Sequence, residues 1–245
     1  MGRTRLLATV VLFSCCVLVG AQGLDPVRTA IDRYRAAIQL AQKDPSRGRL
    51  EAAFLSIEPL RRLLEASRDG GLSVLESLSE QEFTALSREL AGLDVNREEV
   101  VFVKPDGAFF RKLAARGDRA DRAFFTALGS TYPDSVWPVY IEQQNDYSGC
   151  TRFGSGTLVS TYVAWAAFRR QYPKRYEQVS ASHLEEIVEA LTGSTCACGD
   201  RGSVERELME FLRRGDERDM RARVEARLLA VRRDRANIRF ACTSG

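Results

Sequence analysis

The chain has 245 residues, of which 44% are hydrophobic and 28% are charged. A chain of this length and apolar content can bury a full core, which argues against intrinsic disorder. The formal net charge is +3, but residues 1–22 hold Arg3 and Arg5 and no acid, so the remainder carries 34 basic and 33 acidic side chains. Such a balance indicates a surface of ion pairs. It excludes the concentrated basic field of a dedicated nucleic-acid-binding protein.

The first segment, residues 1–21, has the pattern of a signal peptide. Met1–Arg5 is a short basic start, Leu6–Val19 is an apolar run, and the small residues up to Ala21 suit a signal peptidase. We therefore predict cleavage after Ala21 and export to a bacterial periplasm or to the medium. Two alternatives are an uncleaved membrane anchor and a lipoprotein modified at Cys15, where the sequence resembles a lipobox.

Residues 22–92 repeat apolar side chains at helical spacing. A first helix is predicted from the cap Asp25 and the following proline to the break at Asp44-Pro45. A second helix follows, which Pro59 should kink or divide. Ser79 and Glu82 form a capping box before the next apolar stripe. We predict an N-terminal helical-hairpin region over 22–92.

In the region 93–152, the segment Glu98–Lys104 has β-branched and aromatic residues that predict either a short strand or a helical turn. Asp106 is predicted to cap a helix that stops at Gly117, and Asp118 to cap a helix that runs to Gly129. Each of these helices contains a pair of phenylalanines, which suggests a shared core. The following stretch, 132–149, is expected to be a long connection.

A central helix is predicted at about 156–170, because residues 153–168 carry no charge and have apolar or small side chains on every face. The run is shorter than the roughly 20 residues that a membrane span needs, so we expect a buried core helix. The mature chain is then expected to have no transmembrane span.

Three further helices are predicted after the central one. The first has Ser182 and Glu185 as a second capping box and ends at Gly193, the second ends at Gly215, and the last is capped by Asp216. The expected fold is therefore mainly α, with about nine or ten helices. Residues 93–245 are predicted to form a disulfide-linked helical domain that packs with the N-terminal region.

Four cysteines remain after the predicted cleavage: Cys150, Cys196, Cys198 and Cys242. An even number in an exported chain predicts disulfides. Because a bond within the Cys196–Cys198 pair would close a tight ring, each of these two cysteines is expected to reach separately to Cys150 or Cys242. A four-thiolate zinc site and a redox-active disulfide within the Cys-Ala-Cys segment are the alternatives.

No catalytic, metal or nucleotide motif stands out in the sequence. His183 is the chain's only histidine, and its place near the start of a predicted helix suggests a surface residue of the first turn. Ser155 lies between two glycines without the spacing of a serine-hydrolase nucleophile elbow. We therefore expect no cofactor and no metal site.

Polar side chains crowd the stretch 140–155, just before the central helix. A polar connection held to the core by a disulfide is a rigid loop, and such loops often carry binding groups. The predicted binding residues are Tyr140, Glu142, Asn145, Asp146, Tyr147 and Arg152.

The predicted function is an exported helical module that binds a protein or envelope ligand without catalysis. This prediction is partly negative, because the chain lacks a recognisable nucleophile and base. The alternative is an envelope glycan (cell-wall) hydrolase, in which Glu142 would act as the acid and Asp146 as its partner.

Overall fold

The computed structural model describes residues 26–66, 71–133, 137–145, 148–215 and 217–242. The predicted signal peptide, the caps Asp25 and Asp216, and the binding residues Asp146 and Tyr147 lie outside these residues. The structure does not test the signal peptide, the cap at Asp25 or these two binding residues. The cap predicted at Asp216 is wrong, because the N-cap of the last helix is Glu217.

The fold is mainly helical, as the sequence predicts. Within the described residues ten α-helices follow one another: α1 (Pro26–Lys43), α2 (Arg49–Leu55), α3 (Ile57–Glu65), α4 (Glu80–Glu89), α5 (Gly107–Arg116), α6 (Arg119–Thr131), α7 (Thr157–Gln171), α8 (Glu177–Gly193), α9 (Arg201–Arg214) and α10 (Arg218–Arg232). No helix in the described ranges is both long and apolar enough to cross a membrane.

Two antiparallel hairpins interrupt the helices. The first joins β1 (Leu93–Asn96) to β2 (Phe102–Pro105), which resolves the open prediction for 98–104 in favour of a strand over its second half. The second joins β3 (Ile141–Asn145) to β4 (Ser148–Thr151), where only a connection was expected. Two isolated parallel bridges pair Thr151 with Ala197 and Cys196 with Arg239. They connect β4, through residues 196–197, to the segment around Arg239.

Several helix starts follow from local sequence. Ser79 caps α4 in a capping box with Glu82, and Asp106 accepts hydrogen bonds from two backbone amides of α5. Asp118 caps α6 in a second box, with Asp121 as its partner. In each case a short polar side chain satisfies amides that the first turn of a helix leaves without partners.

Other predicted boundaries are wrong. Ser182 and Glu185 form no capping box, because α8 already begins at Glu177, after Tyr176 in the left-handed conformation (φ 48°). The second and third helices divide at Ser56, so Pro59 lies in the first turn of α3, where a proline is tolerated. Helix α6 continues through Gly129 to Thr131.

An aromatic cluster joins the N-terminal helices to the rest of the core. The ring of Phe54 on α2 meets Phe110, Phe124 and Phe125 edge to face, with centroids 5.2–5.6 Å apart, and the ring of Tyr176 stacks on Phe124 at 3.7 Å. Such edge-to-face and stacked pairs add to the free energy gained by burying the rings.

Arg175 forms ion pairs with three carboxylates beside this cluster. Its guanidinium contacts Asp118 at 2.6 Å, Asp121 at 2.7 Å, and Glu51 of α2. Asp121 is fully buried and also accepts a hydrogen bond from the Tyr176 hydroxyl at 2.8 Å. Burial raises the pKa of Asp121, and these donors are what keep its charge compensated. The N-terminal helices are thus held by charge as well as by aromatic packing.

Helix α7 occupies most of the segment predicted as the central helix. Its buried residues include Leu158, Tyr162 and Trp165, while Ser160 and Ala164 are exposed. It packs against α6, α8 and α9. One part of α7 therefore reaches solvent, in contrast to the expectation that every face is covered.

Candidate functional site

The β3–β4 hairpin is joined to the C-terminal part of the chain by two disulfides. Cys150 on β4 pairs with Cys198, and Cys196 pairs with Cys242. The predicted formation of disulfides is confirmed by the structure. Because the bonds bridge 48 and 46 residues of sequence, each removes many conformations from the unfolded chain.

Backbone hydrogen bonds continue the same connection. The Thr151 amide donates to the Cys196 carbonyl at 2.9 Å, and the Thr151 carbonyl accepts from the Cys198 amide at 3.0 Å. The Cys242 amide donates to the Ala197 carbonyl at 2.9 Å, and the Gln144 side chain donates to the Cys242 carbonyl at 2.8 Å. The hairpin is therefore fixed to the segment 196–198 and, through it, to the end of the described chain.

Apart from Tyr140, the predicted binding residues divide into two groups. Glu142, Asn145 and Arg152 are exposed, and the Glu142 carboxylate lies 3.4 Å from the Arg152 guanidinium. Asp146 and Tyr147, between the strands, lie outside the described residues. The hydrolase hypothesis depends on the distance between the carboxylates of Glu142 and Asp146, and the second of these lies outside the described residues.

Tyr140 does not lie on the binding surface that the sequence predicts. Its side chain is buried, with 4% exposed, and burial raises the pKa of its hydroxyl, with smaller contributions from Tyr132 and Glu186. Tyr140 stands immediately before β3, where its ring packs into the core. Tyr140 therefore packs the start of β3 against the core.

Strand β3 has one hydrogen-bonding edge without a neighbouring strand in the described part of the chain. The Arg152 amide donates to the Tyr140 carbonyl at 2.9 Å, so these two residues form a hydrogen-bonded pair between the strands. In an antiparallel ladder such pairs alternate, so the backbone groups of Ile141 and Gln143 point away from β4. The Ile141 amide bonds to Pro138 of its own turn. Gln143 is exposed and lies opposite Gly149, so the alternation places its backbone amide on the edge of β3 that faces away from β4.

His183 is not the exposed first-turn residue that the sequence predicts. It is the seventh residue of α8, its side chain is 11% exposed, and its ring stacks on Trp165 with centroids 4.5 Å apart. Its Nδ1 lies 3.2 Å from the Glu186 carboxylate. Burial raises the pKa of Glu186, but the hydrogen bond and charge of His183 and the Ser182 hydroxyl outweigh this and lower it.

The glycine-flanked Ser155 belongs to a loop with a structural role. The amides of Gly154 and Gly156 both donate to one oxygen of Glu207 at 2.9 Å, and the amide of Val159 donates to the other at 3.2 Å. Glu207 is 2% exposed, so the loop's donors at the start of α7 are satisfied inside the molecule. The Glu207 carboxylate thus accepts the amides at the start of α7 that could otherwise bind an external anion.

An open cleft of 1000 Å³ lies between α3, β2, α5, α6 and α8. Arg111 lines this cleft and is not among the binding residues predicted from the sequence. One feature of the sequence could have pointed to Arg111. Gly129 was predicted to end α6 but lies inside that helix. A glycine within a helix costs stability and so indicates a packing requirement.

Comparisons of this chain with protein-family models, with curated proteins and with solved structures found no match.

Proposed function

We propose that this protein is an exported helical module that binds an extended segment of a partner protein along the free edge of β3. The observation that carries the proposal is the outward-facing backbone of Gln143, on a strand held in place by the disulfide-linked segment behind it. A partner strand added to such an edge gains main-chain hydrogen bonds without rearrangement of the host.

The anchoring favours binding because it lowers the entropy cost of association. A two-stranded hairpin alone is marginally stable, and ordering it on binding would weaken the affinity. Here β4 is tied to Cys198 by a disulfide and to Cys196 by a hydrogen bond, so β3 is presented already ordered. Glu142 and Arg152, which are exposed beside this edge, would select among partner side chains.

Export supports the same proposal. The predicted signal peptide and the two disulfides both suit an oxidising compartment outside the cytoplasm. The partner would then be a protein of the cell envelope or of the medium.

A library of random short peptides displayed on phage tests the proposal. Peptides selected on the wild-type protein should lose binding to Gln143→Pro, which removes the outward amide donor. Proline is tolerated at an edge position whose amide faces solvent, so the fold should be retained, as circular dichroism would check. Gln143→Ala is the matched control, since it changes the side chain and keeps the amide.

Two results would contradict this proposal. Selected peptides that bind Gln143→Pro as tightly as Gln143→Ala would show that the edge is not used. A selection that enriches no peptide above an unrelated disulfide-bonded control protein would remove the binding mode itself.

A further inference from the structure

The 1000 Å³ cleft has an apolar wall and a mixed set of charges. Partly exposed apolar side chains of α6 and α8 line it, and they include Leu128, Tyr132 and Val179. The charged lining residues are Arg61, Arg62, Lys104, Arg111, Glu58, Asp94, Asp106 and Glu186. The two signs balance, so the cleft as a whole has no field that would gather a multiply charged anion.

Most of these charges have partners on the protein. Glu58 pairs with both Arg61 and Arg62, and Asp94 lies 3.8 Å from Lys104. Asp106 accepts the two backbone amides at the start of α5, and Glu186 bonds to His183 and Ser182. Arg111 is the exception, since none of the described residues gives it a carboxylate or a hydrogen bond.

Two glycines make room for the Arg111 side chain. A methyl group placed on Gly107 or on Gly129 would lie 3.2 Å from Nη1 of Arg111. Arg111 therefore crosses from α5 over the surface of α6 at a point where α6 has no side chain. Tyr132 follows Gly129 by three residues, just after the end of α6, and its ring centroid lies 5.9 Å from that of His183. Arg111 and the apolar wall line the same cleft.

We infer that this cleft binds a small monocarboxylate with an apolar body. The carboxylate accepts the parallel N–H groups of Arg111, for which a planar guanidinium is well suited. The body of the ligand rests against Leu128, Tyr132 and Val179. The carboxylate of Glu186, which also lines the cleft, repels a second acidic group, so a monoacid is preferred to a diacid.

The site is independent of the β3 edge, because it uses different residues on different elements. An NMR titration with hexanoate tests it by following the backbone amides of Gly107 and Gly129. Hexanoate should shift both amides, while adipate and 1-hexanol should bind on the order of tenfold more weakly or worse. The Gln143→Pro variant should bind hexanoate like the wild type.

Three variants separate a specific site from weak charge attraction. Arg111→Gln should weaken hexanoate binding on the order of tenfold, whereas Lys112→Gln, which removes an exposed charge from the next residue outside the cleft lining, should leave the Kd unchanged. Gly129→Ala should weaken binding less than Arg111→Gln does, because its methyl group, 3.2 Å from Nη1, requires only a small shift of the guanidinium. Absence of shifts at both glycines, or equal Kd values for Arg111→Gln and Lys112→Gln, would overturn the inference.

Discussion

The two sides of the molecule are held together by different means. On one side, α2 is joined to α6 and to the start of α8 by an aromatic cluster and by the ion pairs of Arg175. On the other side, the β3–β4 hairpin and the end of the described chain are joined by two disulfides and a short series of backbone bonds. The first connection depends on burial and charge, and the second on covalent bonds.

The difference follows from how much apolar surface each side can bury. Phe54, Phe124 and Tyr176 are large buried rings that supply a substantial hydrophobic gain. The strand β3, with the sequence IEQQN, has no buried residue, so it has little to offer a core. A disulfide stabilises such a segment by restricting its unfolded state, which needs no apolar surface.

Breaking the charged connection should give the largest effect. Arg175→Met removes the cation that compensates the fully buried Asp121 and leaves that carboxylate without its ion pair. Because Arg175 itself is 24% exposed, we expect a loss at the lower end for buried pairs, about 3 kcal/mol in the free energy of unfolding. Urea denaturation with the disulfides intact measures it.

The matched control for that variant is Arg62→Met on α3. Its guanidinium pairs with Glu58 but is 75% exposed, so the expected loss is below about 1 kcal/mol. Equal losses for Arg175→Met and Arg62→Met would mean that the connection between α2 and α8 rests on aromatic packing alone.

A smaller effect is expected from Glu207, the internal acceptor at the start of α7. Glu207→Gln keeps the size of the side chain but replaces a carboxylate that accepts three amides by a neutral amide group with one acceptor oxygen. We expect a loss of about 2 kcal/mol, since hydrogen bonds to charged groups are the stronger kind.

Glu210→Gln, three residues further along α9, sharpens the interpretation. Glu210 pairs with Arg213 and Arg214 near the surface, so its loss should cost below about 1 kcal/mol. If both variants were equally stable by urea denaturation, the amides at the start of α7 would not depend on Glu207.

The features that sequence predicts well are those encoded by neighbouring residues. Ser79 with Glu82, Asp106 and Asp118 each cap the helix that follows them, so the signal and the structure lie within four residues. The mainly helical fold follows from the same local periodicity.

Two helix starts are satisfied from far along the chain: that of α8, which sequence misses, and that of α7, whose position sequence predicts but whose partner it does not. The amide of Tyr176, just before α8, donates to Glu51, which is 125 residues away, and the start of α7 is satisfied by Glu207. These partners are set by packing, which no short pattern encodes. The error at Ser182 also misplaced His183, which lies in the second turn of α8 rather than the first and is covered there by Trp165 of α7.

The candidate sites show the same limit. The polar residues around Glu142 were identifiable, but the strand that carries them depends on pairing with β4 and on the disulfide to Cys198. Arg111 became identifiable only when Gly107 and Gly129 were placed beneath its side chain. The polar residue types at the hairpin could be read from the sequence. The edge of β3 that faces away from β4 could be identified only from the tertiary structure.

The central claim is that covalent bonds hold the β3–β4 side while burial and charge hold the other. Hydrogen exchange measured by mass spectrometry, with and without a reductant, tests it most directly. The account predicts that reduction speeds exchange at Thr151, Ala197 and Cys242, while peptides from α2 and α6 keep their protection. Equal acceleration in all of these peptides, or unchanged protection at Thr151 after complete reduction, would contradict it.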